Sequence, residues 1–152
     1  MKTSVKLGSL FLRLALGVSF LSAVGDRFGF WGPAGQAGVA WGDFLHFEAY
    51  TAKLNWFMPS AMIPALAWTS TGAEVLLGFA LLAGIYTRVT AFLSGSLLLL
   101  FALSMTFALG IEAPLSASVF SASAGAFVLS TRREYPWSFD SIRNQHQSSE
   151  AP

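Results

Sequence analysis

The chain has 152 residues, of which 54% are hydrophobic and 11% charged, and a soluble domain of this size carries roughly twice that share of charge. It has no cysteine and a formal net charge of +1, which removes disulfides, thiol exchange and cysteinyl metal sites and leaves no basic field for nucleic acid. The composition is that of an integral membrane protein, whose first partner is the lipid bilayer.

Uncharged runs at 54–73, 75–87, 89–111 and 113–131 each approach the length of a spanning helix. Together with the N-terminal apolar segment they predict an all-α, integral membrane four-helix bundle. MKTSVK, an apolar run and SAVG have the outline of a secretory leader. Arg13 interrupts that run, however, so the segment is read as the first spanning helix, about 7–25, closed by Gly25 and Asp26–Arg27. The second helix, about 61–86, starts after Pro59 with Pro64 in its first turn and ends at the polar pair Thr87–Arg88. The third spans about 89–110. Gly110-Ile-Glu112-Ala-Pro114 then turns the chain into the fourth, about 114–131. Residues 1–131 form the transmembrane domain and 132–152 a polar cytoplasmic tail, in which REYPWSFDSIR can make a short interfacial turn, NQHQSSEAP is expected to be disordered and His146 is inert.

Lys2, Lys6, Arg88, Arg132, Arg133 and Arg143 fall on one side of such a bundle, against Arg27 and Lys53 on the other. The positive-inside bias therefore places both termini in the cytoplasm of a bacterial inner membrane. The long connection, Asp26 to Ser60, is extracytoplasmic on this reading. It carries Trp41, Phe44, Phe47, Tyr50, Trp56 and Phe57 at near-helical spacing with Asp43, Glu48 and Lys53 between them, which predicts a short interfacial helix. Two roles stand open for it: an aromatic belt that anchors the bundle, or a lid over a ligand pocket.

Two ionisable residues lie in the apolar segments, Arg13 and Glu74. A charge at mid-bilayer costs about 2.5–3.5 kcal/mol on insertion scales and needs a partner, water or neutralisation. At 1.5 Å per residue Arg13 lies about 10 Å from the inner edge and Glu74 about 21 Å. Helical side chains lean toward their own N-terminus, which separates the two further. Arg13 is therefore expected to snorkel to the cytoplasmic head groups. Ser19, Ser22, Ser104, Ser118 and Ser121 lie level with Glu74, and Thr71 shares its helix face. Glu74, protonated at rest, is expected to anchor that polar layer, either for helix packing or as a proton-handling catalytic group. The two histidines, His46 and His146, lie outside the spans, which excludes a bis-histidine haem inside the bundle. No metal, flavin, phosphate or nucleophile motif is present.

LRLALGVSFL with Arg13, YTAKLNWFMP, TGAEVLLGFALLAGIYTR with Glu74 and Arg88, and FALSMTFALGIEAPLSASVFSASAGAF together resemble the DoxX family of small bacterial membrane proteins, related to the DoxD subunit of thiosulfate:quinone oxidoreductase. The resemblance covers about residues 7–131. It implies a four-helix inner-membrane protein acting as an accessory or quinone-interacting subunit in redox or sulfur-compound metabolism, with a redox protein partner. Without haem, flavin or metal, quinone is the expected cofactor, held by Trp41, Phe44, His46 and Trp56. The alternative is a non-enzymatic assembly subunit or a small-solute carrier.

Overall fold

A computed structural model describes residues 3–132 and 134–142, and every described regular element is helical. Three helices are long and apolar enough to cross a membrane: α1 (Thr3–Arg27), α3 (Ile63–Ala83, extended at its start by a 3-10 turn at Ser60–Met62) and α4 (Thr87–Leu109). Between the first two lies α2 (Phe44–Leu54), and two shorter helices, α5 (Glu112–Ser116) and α6 (Val119–Ser130), follow α4. α1 packs on α3, α3 on α4, α4 on α6 and α6 on α1, which closes a ring of four, while α2 lies across one end against α1, α3 and α4.

Local sequence chemistry sets the element ends. Asp43 caps α2, its carboxylate accepting from the His46 amide, as acidic N-caps do. Gly84, at φ +70°, closes α3 with its own amide and that of Ile85 on the Ala80 carbonyl, so α3 ends three residues before the sequence-based boundary of 86. The expected single helix at 114–131 is broken. The Ser118 amide bonds the Leu115 carbonyl, a tighter spacing than an α-helix has, and Ser118 turns left-handed at φ +57° before α6 begins.

The interior is built from Leu16, Phe20, Leu81, Ala91, Ala126 and Leu129. Small residues bring the backbones together: a Cβ on Gly17 would stand 3.0 Å from the Gly78 carbonyl, and one on Gly78 3.2 Å from the Gly17 carbonyl. Between α4 and α6 the Ser123 hydroxyl donates to the Gly95 carbonyl at 2.8 Å. Close approach at glycine and interhelical hydroxyl bonds hold helices together where lipid supplies no hydrophobic drive. Outward-facing Phe11, Val18, Leu76, Phe79, Leu100 and Phe107 are exposed and form the apolar exterior that a bilayer covers.

Residues 134–142, part of the expected tail, do not leave the bundle. Asp140 accepts from the Tyr86 and Thr87 amides at 3.0 and 2.7 Å, and its own amide donates to the Gly84 carbonyl. This strap covers the end opposite α2. Lys2, Arg133, Arg143 and the NQHQSSEAP segment with His146 lie outside the described residues.

Candidate functional site

Glu74 sits on the face of α3 that also carries Thr71 and Gly78, and it is 1% exposed. Its partner is Arg27, so the carboxyl that the sequence places in a serine layer as a protonated acid instead meets a guanidinium. One guanidinium nitrogen, Nη2, donates to both carboxylate oxygens at 2.7 and 2.8 Å, and Nη1 donates to Thr71 Oγ1 at 2.7 Å. The guanidinium lies 3.7 Å from the ring centroid of Phe47 and 5.3 Å from that of Trp41, so a cation held away from water finds an anion on one side and aromatic faces on the other. As the last residue of α1, Arg27 also occupies the helix end whose dipole favours positive charge.

The residue before it organises the loop. Asp26 Oδ2 accepts from the Ala40 and Trp41 amides at 3.0 and 2.9 Å. Those bonds fix Trp41 above Arg27, and Trp41 in turn packs edge-on against Phe47 and next to Tyr50. Asp26 and Arg27 therefore tie α1, the loop, α2 and α3 into one unit.

Trp41 also borders a groove of about 490 Å³ lined by Ala40, Trp41, His46, Ala49, Tyr50 and Lys53. His46, Tyr50 and Lys53 recur at i, i+4 and i+7 of α2 and share a face. Burial pushes the Tyr50 phenol up from its ordinary value, so it is a protonated donor at neutral pH. His46 Nδ1 lies 2.8 and 2.9 Å from the two oxygens of Asp43. The amide and then the ring of His46 hold the Asp43 carboxyl below its ordinary value. A larger groove, about 790 Å³, lies at the opposite end, lined by Lys6, Ala83 and strap residues 134–142, away from the Arg27–Glu74 pair.

Of the residues expected to form a quinone site, the structure brings Trp41 and His46 to the same groove. Phe44 faces elsewhere, stacked on Trp68 at 4.2 Å and on Phe28 at 5.8 Å. Trp56 is 74% exposed and pairs with Phe57, because α2 ends at Leu54 and the turn after it swings the ring outward.

The expected serine layer does not form. Ser19, Ser118 and Ser121 are exposed. Ser22 and Ser104 are half-buried, and the described contact of Ser22 is its carbonyl, which accepts from Trp31 Nε1. Thr71 alone of that set joins Glu74, through Arg27. Equal depth put the serines level with Glu74, but the helix faces turn most of them toward lipid. Arg13 does not snorkel either. It is 2% exposed, with Nη2 donating to the Trp137 carbonyl at 2.6 Å and the strap closed over it. Arg88 is exposed in the first turn of α4.

Among the described residues no group of three or more His, Cys, Asp or Glu side chains is placed to hold a metal ion. Compared with protein-family models, with curated proteins and with solved structures, the chain matches none.

Proposed function

We propose that this chain is a DoxX-like, multi-pass protein of the bacterial inner membrane that binds the head group of a quinone-class ligand in the groove beside α2. It would serve as an accessory subunit of membrane redox or sulfur-compound metabolism. The observation that carries the reading is the double role of Trp41, which lines the groove and whose ring centroid lies 5.3 Å from the buried Arg27 guanidinium. A flat, carbonyl-bearing ring stacks on such an indole, while the Tyr50 hydroxyl and the Lys53 ammonium supply hydrogen bonds to its oxygens.

On this reading α5 and α6 together complete a fourth crossing, both termini are cytoplasmic, and α2 lies in the outer interface where a quinone head group resides. Glu74 acts as a positioning residue: both of its oxygens are engaged by Arg27, and the pair holds the floor of the groove in place. The chain contributes binding and orientation, and a partner redox protein exchanges electrons with the bound quinone.

The test is the lipid extract of protein purified in mild detergent. Wild type should carry stoichiometric quinone and Trp41→Ala should lose it, with the helical content of both unchanged. Wild-type protein that carries no quinone and takes up none when supplied with it contradicts the proposal.

A further inference from the structure

The Asp43–His46 pair stands at the start of α2, at the rim of the groove. Both side chains are largely exposed, at 49% and 62%, yet their geometry is more than a helix cap. The amide bond to Asp43 would cap α2 by itself. In addition the carboxylate meets ring Nδ1 with both oxygens, at 2.8 and 2.9 Å. A carboxylate on Nδ1 places the proton of the neutral imidazole there, and the unprotonated nitrogen, Nε2, is then the ring's acceptor. His46 lines the groove with Trp41, Tyr50 and Lys53. Lys53 can only donate and the Tyr50 hydroxyl is a weaker acceptor than an imidazole nitrogen, so unprotonated His46 Nε2 is the strongest side-chain acceptor among the described residues lining it.

From this arrangement we infer that the groove distinguishes the reduced from the oxidised form of its ligand, with His46 accepting a hydrogen bond from the hydroxyl of a hydroquinone. The inference rests on the proposed quinone-class site and adds which redox form that site prefers. An oxidised quinone has only carbonyl oxygens to offer, so it gains from Tyr50 and Lys53 and leaves neutral His46 unused. A hydroquinone uses all three. Protonating His46 reverses the preference, because Nε2–H becomes a donor that suits a carbonyl and no longer accepts from a hydroxyl. The titratable side chains facing His46 are Asp43 beside it and Tyr50 and Lys53 along α2; Arg27 and Glu74 lie behind Trp41. Asp43 is held below the ordinary carboxylate range, burial raises the Tyr50 phenol above its ordinary value, and histidine is the side-chain type whose charge changes between pH 5 and 8.

The experiment measures binding of a short-chain benzoquinone and of its hydroquinone to the full-length protein in nanodiscs at pH 8 and pH 5. At pH 8 the hydroquinone should bind about fivefold more tightly than the quinone, the effect of one hydrogen bond, and at pH 5 the order should invert. His46→Gln, a change at an exposed side chain, should abolish the inversion, so that the ratio of the quinone and hydroquinone affinities becomes the same at pH 8 and pH 5. Asp43→Asn, which preserves the helix cap but no longer fixes the ring tautomer, should reduce the preference at pH 8. Equal binding of both forms at both pH values, or an inversion that survives in His46→Gln, overturns the inference while leaving the site in place. Failure of wild type to bind either form overturns the site and the inference with it.

Discussion

Removing one partner of the Arg27–Glu74 pair should be far more damaging than removing both, and the two single losses should differ in their pH dependence. The pair has side-chain exposures of 3% and 2%, so neither charge can be rehydrated without unpacking the bundle. Glu74→Leu strips the guanidinium of both carboxylate bonds and leaves it Thr71 and the face of Phe47. Breaking a buried pair in this way costs about 3–5 kcal/mol. In Arg27→Leu the orphan is a carboxylate, which has an escape that arginine lacks: it can take up a proton. The cost of that uptake for an ordinary glutamate is about 3.7 kcal/mol at pH 7 and about 1 kcal/mol at pH 5, which caps the charge penalty. The Arg27→Leu loss should therefore shrink by about 2–3 kcal/mol between pH 7 and pH 5, while the Glu74→Leu loss stays flat. The double variant, with apolar side chains filling the site, should lie within about 1–2 kcal/mol of wild type, giving a coupling energy of at least about 3 kcal/mol. Reversible unfolding of the detergent-solubilised protein, followed by circular dichroism at both pH values, measures all of these. Coupling below about 1 kcal/mol, or a pH-independent loss in Arg27→Leu, would show that Arg27 and Glu74 do not act as a buried ion pair.

Other expectations follow from the packing. Gly78→Ala forces a methyl against the Gly17 carbonyl and Leu21 and should lower stability by about 1–3 kcal/mol, whereas Gly72→Ala, with nothing within 4 Å of its new Cβ, should raise it by about 0.5–1 kcal/mol; thermal unfolding separates the two. Asp26→Ala removes the acceptor of two loop amides and should cost about 1–3 kcal/mol, with protease sensitivity appearing within 28–43. Because the Asp43 carboxyl is held low by the His46 amide and ring, its cap on α2 is fully present above the ordinary carboxylate value and is lost as the pH falls through the lowered one. Amide exchange at His46 should accelerate in that acid range in wild type but not in Asp43→Asn, and an unchanged rate in wild type would contradict the assignment.

The helical class, the long apolar segments and the short helix in the aromatic loop could be read from sequence, because each rests on local composition and periodicity. The break at Ser118 could not, since it depends on a left-handed backbone angle that serine does not announce. Arg27 was within reach. At 1.5 Å per residue, Glu74 stands about equally far in depth, roughly 10 Å, from Arg13 on one side and Arg27 on the other. The lean of side chains toward their own N-terminus decides between them: it carries Arg13 away from Glu74 and brings Arg27, on the oppositely running α1, toward it. Apparent membership of the polar loop hid the residue, because α1 continues to Arg27 instead of ending at Gly25. The serine layer failed for a different reason. Depth along a helix says nothing about azimuth, and Ser19, Ser118 and Ser121 point outward. Arg13 is retained inside because the strap at 134–142 supplies a carbonyl at Trp137, a tertiary contact that hydropathy does not encode.

Which groove takes the ligand is read directly by photoaffinity labelling with an azidoquinone in native-like membranes. Label should map to the peptide containing Trp41, His46, Tyr50 and Lys53, compete with unlabelled quinone, and vanish in Trp41→Ala. Label confined to the strap groove around Trp137 and Phe139, or none that unlabelled quinone displaces, would contradict a ligand site beside α2.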